Sequence, residues 1–203
     1  MGFYDKYVVP RIVDLTLRAA FVTEERKKCL ADVRGSVLQV GFGSGLNLPH
    51  YPEGVERVVA VDPSAEGAKM ARERIAAAPF PVEFVGLSGE TIDASDASFD
   101  AVVSTWTLCT IPGVEAALEQ MRRVLKPGGR LYFVEHGLAA DPRVQRWQHR
   151  LNPIQVFLCG GCNVNRNIEA LVTGAGFRLE KVEKGYAKGP KYTSFQYRGV
   201  AAR

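Results

Sequence analysis

Apolar residues in this chain fall into short runs that end in glycine or an acidic residue, separated by stretches with helical spacing. Ser36-Val-Leu-Gln-Val40 is such a run, closed by glycines, and reads as a buried strand. Arg57-Val-Val-Ala-Val-Asp62 predicts a second strand, followed by Pro-Ser and an alanine-rich helical stretch to about Ala77. Pro81–Val85 and Phe99–Ser104 predict the third and fourth. From Glu115 to Leu125 the apolar positions Leu118, Met121, Val124 and Leu125 recur at helical spacing, and Lys126-Pro-Gly-Gly129 ends that helix in a turn. Arg130–Glu135 is the fifth strand. A segment from Asp141 to Gly176 holds further helical stretches. Two late strands follow near Phe177–Glu183 and Ser194–Ala201, with no helix between them. Strands alternating with helices predict an α/β fold: a mainly parallel sheet with helices on both faces, and an antiparallel hairpin at its edge.

The region before Ser36 reads differently. Val8 to Val22 is apolar except for Arg11, Asp14 and Arg18, which fall at i, i+3 and i+7 and make one polar stripe on a helix. Pro10 suits the first turn. The segment is too short and too charged to cross a bilayer. Residues 1–35 are therefore expected to form an N-terminal helical cap, lying on the domain or serving as a lid or interfacial anchor, with residues 36–203 the main domain.

A length of 203 residues, 46% hydrophobic and 24% charged, fits one globular unit. The net charge of +4 is spread along the chain, which argues against a nucleic-acid partner and does not favour a membrane one. The opening residues lack the basic-then-apolar order of a signal peptide, and Cys29, Cys109, Cys159 and Cys162 are expected as free thiols in the cytoplasm.

In such a fold, ligands sit beyond the carboxyl ends of the strands. There stands the loop Gly41-Phe42-Gly43-Ser44-Gly45-Leu46-Asn47, whose glycines let backbone approach a ligand closely. The dinucleotide spacing G-x-G-x-x-G would need glycine where Leu46 stands, which disfavours a nicotinamide oxidoreductase. Asp62 ends the second strand, 21 residues beyond Gly41, where a carboxylate can accept from ribose hydroxyls or cap the next helix.

With those residues in view, Val37–Gly45, Val61-Asp-Pro63, Ser98-Phe-Asp100 and Arg123-Val-Leu-Lys-Pro-Gly-Gly129 together resemble the class I methyltransferases that use S-adenosylmethionine (SAM). The resemblance implies a single Rossmann-like domain whose seven-stranded sheet has an antiparallel last strand. It implies SAM as cofactor, with Gly41, Phe42, Gly43, Gly45 and Asn47 beneath the methionine and ribose, and Asp62 and Pro63 at the ribose. Ser88, Gly89 and Glu90 would lie along the adenine, and Thr105 and Trp106 at the methionine end. The chain departs from the family at Gln39, where an acidic residue is usual, and at Ser88, where an Asp is usual. Gln39 leaves open a module that holds SAM without catalysis.

Trp106-Thr-Leu-Cys109, Val134-Glu-His-Gly137 and Gly160-Gly-Cys-Asn-Val-Asn-Arg166 look like the small alkyl-thiol methyltransferases. That likeness favours a small thiol as acceptor, ahead of lipid headgroup amines and quinone-type rings. His136, after the fifth strand, is the base candidate, the alternative being that it caps or hydrogen-bonds the next turn. Trp147, Cys162 and Arg166 are substrate-pocket candidates. Cys159-Gly-Gly-Cys162 carries the C-x-x-C spacing, but Cys29 and Cys109 belong to distant elements, so no metal site is expected.

Overall fold

The computed structural model describes residues 8–86 and 88–203. Helices α1 (Val9–Leu17) and α2 (Ala20–Leu30) lead into β1 (Gly35–Val40), β2 (Val55–Val61), α3 (Ala65–Met70), α4 (Arg72–Ala76) and β3 (Val82–Phe84). Then come β4 (Phe99–Thr105), α5 (Val114–Val124), β5 (Leu125–His136), α6 (Pro142–Leu158) and α7 (Ile168–Gly174). The chain closes with β6 (Arg178–Tyr186), a helical turn α8 (Lys191–Ser194) and β7 (Phe195–Ala202). The seven strands form one sheet in the order β3-β2-β1-β4-β5-β7-β6. All neighbours up to β5 pair parallel, while β7 runs antiparallel to both β5 and β6.

Both faces of the central strands are covered, which is why their sequences are continuously apolar rather than alternating. Leu38, Val59, Val102 and Leu131 pack on one face with Leu118 and Met121 of α5 and Ile168 and Val172 of α7. Val37, Val58, Val103 and Val134 pack on the other with Val22, Cys29 and Leu30 of α2. Thus α2 is part of the core, although it was expected within a cap; residues 1–7 of that segment lie outside the described residues.

Local departures from the expected elements have physical causes. Lys126–Gly129 does not separate helix from strand: β5 starts at Leu125, and those four residues bulge between the pairs Phe99↔Leu125 and Ala101↔Arg130. Asp100 lies at the bulge, its carboxylate accepting from Lys126 Nζ at 2.8 Å and from the Ser36 N–H at 2.9 Å. Between β6 and β7, the N–H groups of Thr193 and Ser194 both return to the Pro190 carbonyl, which makes the turn α8.

The N-terminal helix breaks at Ala19, whose backbone is extended, and Arg26 donates to the carbonyl of Leu17 there. Of the polar stripe on α1, Asp14 faces inward while Arg11 and Arg18 stay exposed. Asp14 is buried and accepts from Ser44 Oγ at 2.5 Å, while Arg18 pairs with it at 2.5 Å. Arg11 pairs with Glu66 at 3.1 Å. The apolar residues Ile12 and Leu15 face outward, Leu15 72% exposed.

Candidate active site

A cavity of about 710 Å³ opens beyond the carboxyl ends of β1, β2 and β4. Its floor is the loop after β1. Gly41 has φ +74, and a Cβ there would lie 2.0 Å from Thr107 Oγ1, so only glycine lets the loops after β1 and β4 meet. At Gly43, with φ +54, a Cβ would meet nothing within 4 Å; the space above it is open. Phe42 and Asn47 also line the cavity. Gly45 does not; a Cβ there would meet Ala71, Leu48 and Phe42 at 3.2, 3.3 and 3.4 Å.

Asp62 Oδ2 accepts from the Gly43 N–H and Oδ1 from the Ser64 N–H, each at 2.7 Å. The carboxylate therefore holds the glycine loop. The cap of α3 is Ser64, whose Oγ accepts from the Gly67 N–H at 3.0 Å. Burial pushes the Asp62 pKa up, opposed by the two backbone donors. Pro63 stands beside it in the wall.

Ser88, Gly89 and Glu90 form another part of the lining. Glu90 is engaged: its carboxylate accepts from the Gly113 N–H at 2.7 Å. After β4, Thr105 and Trp106 line the cavity, with Trp106 held at φ 51 and its N–H bonded to the Val134 carbonyl at 2.7 Å. Among the described residues, the buried Trp106 Nε1 has no hydrogen-bond partner.

Arg26 also lines the cavity, and nothing in the sequence singles it out within the charged run Glu24-Glu-Arg-Lys-Lys28. Only 2% exposed, it donates from Nε to Asn47 Oδ1 at 2.9 Å and lies 5.2 Å from the Trp106 ring centroid. Burial brings its guanidinium down to about 10, which leaves it charged at neutral pH. Gln39 is buried in the same wall, accepting from the Tyr51 hydroxyl at 3.0 Å. Val9, Pro10, Val13, Asp14 and Leu17 of α1 close the mouth from one side; Thr110, Ile111 and Cys159–Gly161 face it from another.

The residues expected on the substrate side lie elsewhere. His136 is not in the lining; its Nδ1 lies 3.6 Å from Cys162 Sγ, and Cys162 Sγ lies 3.5 Å from Cys109 Sγ. Cys109, expected far from Cys162 on a separate element, is its direct neighbour. The hydrogen bond between the two sulfurs, and then that with His136 against the cost of burial, draw the Cys162 thiol below its ordinary range, while Cys109 is pushed up. Arg166 clasps the loop after β4 instead of facing a ligand, donating to the carbonyls of Leu108 and, at 2.7 Å, Ile111. Trp147 is 56% exposed on α6 beside Arg150, away from the cavity wall.

Two buried polar side chains organise this side of the fold. Glu135 accepts from Ser104 Oγ at 2.8 Å, the Thr107 N–H at 3.0 Å and the Cys109 N–H at 3.2 Å, fixing the loop after β4. Gln148 accepts from the Ala139 N–H and donates to the carbonyls of Gly137 and Val164, pinning α6 to the end of β5.

Residues 38–133 match the family described as a methyltransferase domain. The chain is 36% identical over 154 residues to the thiol S-methyltransferase TMT1A of Homo sapiens, covering 73% of this chain and 62% of that protein. It is 32% identical over 184 residues to the thiol S-methyltransferase TMT1B of Rattus norvegicus, covering 83% of this chain and 74% of that protein. A solved S-adenosylmethionine dependent methyltransferase from Mesorhizobium loti shares the fold, with a TM-score of 0.67 at 18% identity over 92% of this chain and 99% of that one. The chain belongs to the methyltransferase family that these relatives represent.

Proposed function

We propose that the chain transfers the methyl group of SAM to a small thiol in this cavity. The observation that carries the reading is the cavity itself: an open glycine loop, a strand-end carboxylate and a buried guanidinium meet in one wall of a methyltransferase-family chain. These residues fit the group. Asp62 has lone pairs left for ribose hydroxyls after its two backbone bonds, and Gly41 and Gly43 leave room for the ligand to cross the loop. Arg26 offers the methionine carboxylate a buried cation, and the unpaired Trp106 Nε1 is a donor in the same wall. Ser88, Gly89 and Glu90 would lie along the adenine. When bound, SAM supplies an electrophilic methyl group on a sulfonium.

What remains for the protein is to hold the acceptor in line and keep water out. No histidine lines the cavity among the described residues, and Glu90 and Asp62 are already engaged by backbone donors. A thiol of pKa about 8.5 needs little help to reach the thiolate, whereas an amine or a phenol depends more on a base. The wall around Ile111, Pro112 and Val13 suits an apolar acceptor body, and the human and rat relatives above are named as thiol S-methyltransferases. Incubation with methyl-labelled SAM and a panel of thiols, amines and quinols tests this. Label should enter thiols, with a rate that climbs with pH toward each thiol's own pKa. Label in amines or quinols alone, or SAM binding with no transfer, would reject the reading.

The buried Asp14 of α1 gives a separate prediction. Asp14→Ala removes the acceptor for Ser44 and Arg18, at a cost of about 1–3 kcal/mol for groups this buried. The sheet should stay folded while α1 lifts from the cavity. Limited proteolysis should then cut within residues 9–19 roughly tenfold faster, and SAM should protect less well than in the parent chain. Unchanged cleavage would mean that the apolar contacts of α1 suffice to hold it.

A further inference from the structure

Behind the cavity wall, three metal-binding side chains from three elements converge. Cys109 follows β4, His136 ends β5, and Cys162 follows α6. Their ligand atoms all lie within 4.8 Å of one another. The Sγ–Sγ separation of 3.5 Å and the Sγ–Nδ1 separation of 3.6 Å can be compared with a tetrahedral zinc site. With Zn–S of about 2.3 Å and Zn–N of about 2.0–2.1 Å, the edges of such a tetrahedron are about 3.8 Å for S···S and about 3.5 Å for S···N. The side chains thus stand close to the spacing they would have around an ion.

The backbone carrying them is held before any ion arrives. The Asn163 N–H and side-chain amide both donate to the Cys109 carbonyl, at 2.8 and 3.1 Å, which ties the two cysteine segments together. Arg166 clasps the carbonyls on either side of Cys109, and Glu135 takes the Cys109 N–H. His136 is fixed by its pairing with Gln196 in the sheet. Cys109 is fully buried and Cys162 is 7% exposed, so the sulfurs face each other and the imidazole rather than water.

We propose that Cys109, His136 and Cys162 form a binding site for a thiophilic d10 cation, with Zn2+ as the ion to be tested. In the bound state two thiolates and a neutral imidazole would offset the charge of the ion, any thiol proton still present going to solvent. The ion would join the loop after β4 to the segment after α6. Thr110 and Ile111 on one side, and Gly160 and Gly161 on the other, are cavity-lining neighbours of the ligands, so the ion would fix the distance between two walls of the cavity.

The test uses the full chain, reduced, stripped with a chelator and titrated with Co2+. Saturation at one ion per chain, with a sulfur-to-cobalt charge-transfer band, is expected. Cys109→Ser and Cys162→Ser should each bind Co2+ at least a hundredfold more weakly, with circular dichroism confirming their fold. Should a variant fail to fold, X-ray absorption on the Zn2+-loaded parent chain reads the site directly. Two sulfur neighbours at about 2.3 Å and a nitrogen at about 2.0–2.1 Å support it; a shell of oxygen alone overturns it. The proposal also falls if the parent chain gives no charge-transfer band at saturating Co2+, or if the band survives in both serine variants. Peroxide-driven joining of Cys109 to Cys162 in a chain that takes no Co2+ would make the pair a redox element, and overturns it as well.

Discussion

Asp62→Ala is expected to weaken SAM binding by roughly 30- to 900-fold, the equivalent of about 2–4 kcal/mol for hydrogen bonds to a charged acceptor. Two losses combine. On the proposed reading the ribose loses its acceptor, and the Gly43 N–H loses the oxygen that holds the glycine loop in its left-handed conformation. Calorimetry on both chains measures the change, and less than tenfold would remove Asp62 from the ribose site. The same residue sets a pH dependence. On the proposed reading SAM binds the ionised carboxylate, and burial holds the Asp62 pKa above the ordinary aspartate value of 3.8. Acid should therefore weaken binding as pH falls through that raised pKa, earlier than for an exposed aspartate. In Asp62→Asn this acid limb should vanish.

Glu135→Ala should act on stability rather than on the ligand directly. Its carboxylate is the common acceptor for a buried hydroxyl and for N–H groups of the loop after β4. Burial raises its pKa, and those donors oppose the rise. Truncation leaves the donors facing one another around a void, at a cost of about 3–5 kcal/mol. For a chain of this size that lowers Tm by on the order of 10 °C. Glu135→Gln should fall less, since one acceptor oxygen remains while the new NH2 faces existing donors. A calorimetric Tm within about 3 °C of the parent for the alanine variant would show that the loop holds itself.

The sheet was legible in the sequence because each strand is buried on both faces and so reads as an unbroken apolar run closed by a ligand-side residue. The glycine loop and Asp62 were legible for the same reason, since they stand directly after strands. Direction was harder to read. The stripe Arg11, Asp14, Arg18 looks like a solvated face, yet Asp14 is buried because Ser44, Arg18 and Arg74 offer it partners. Arg26 carries no local signal either, since its burial depends on Asn47, Leu17 and Trp106, which are distant or nonperiodic in sequence. His136 stands at the ligand end of a strand, as a base would, but its imidazole turns to Cys162. Cys109 and Cys162 are 53 residues apart, and long-range bonds such as those from Asn163 and Arg166 hold their segments side by side.

The contact between Gly41 and Thr107 constrains how this chain can diverge. A side chain at position 41 would run into Thr107 Oγ1, Cγ2 and Cβ, at 2.0, 2.3 and 2.6 Å. Position 107 can become smaller first, because that only opens space; position 41 cannot grow first. Even after such a step, φ +74 still penalises any residue with a Cβ at 41. Descendants of this sequence should therefore vary at 107 while retaining glycine at 41, and the order of change between the two sites runs one way.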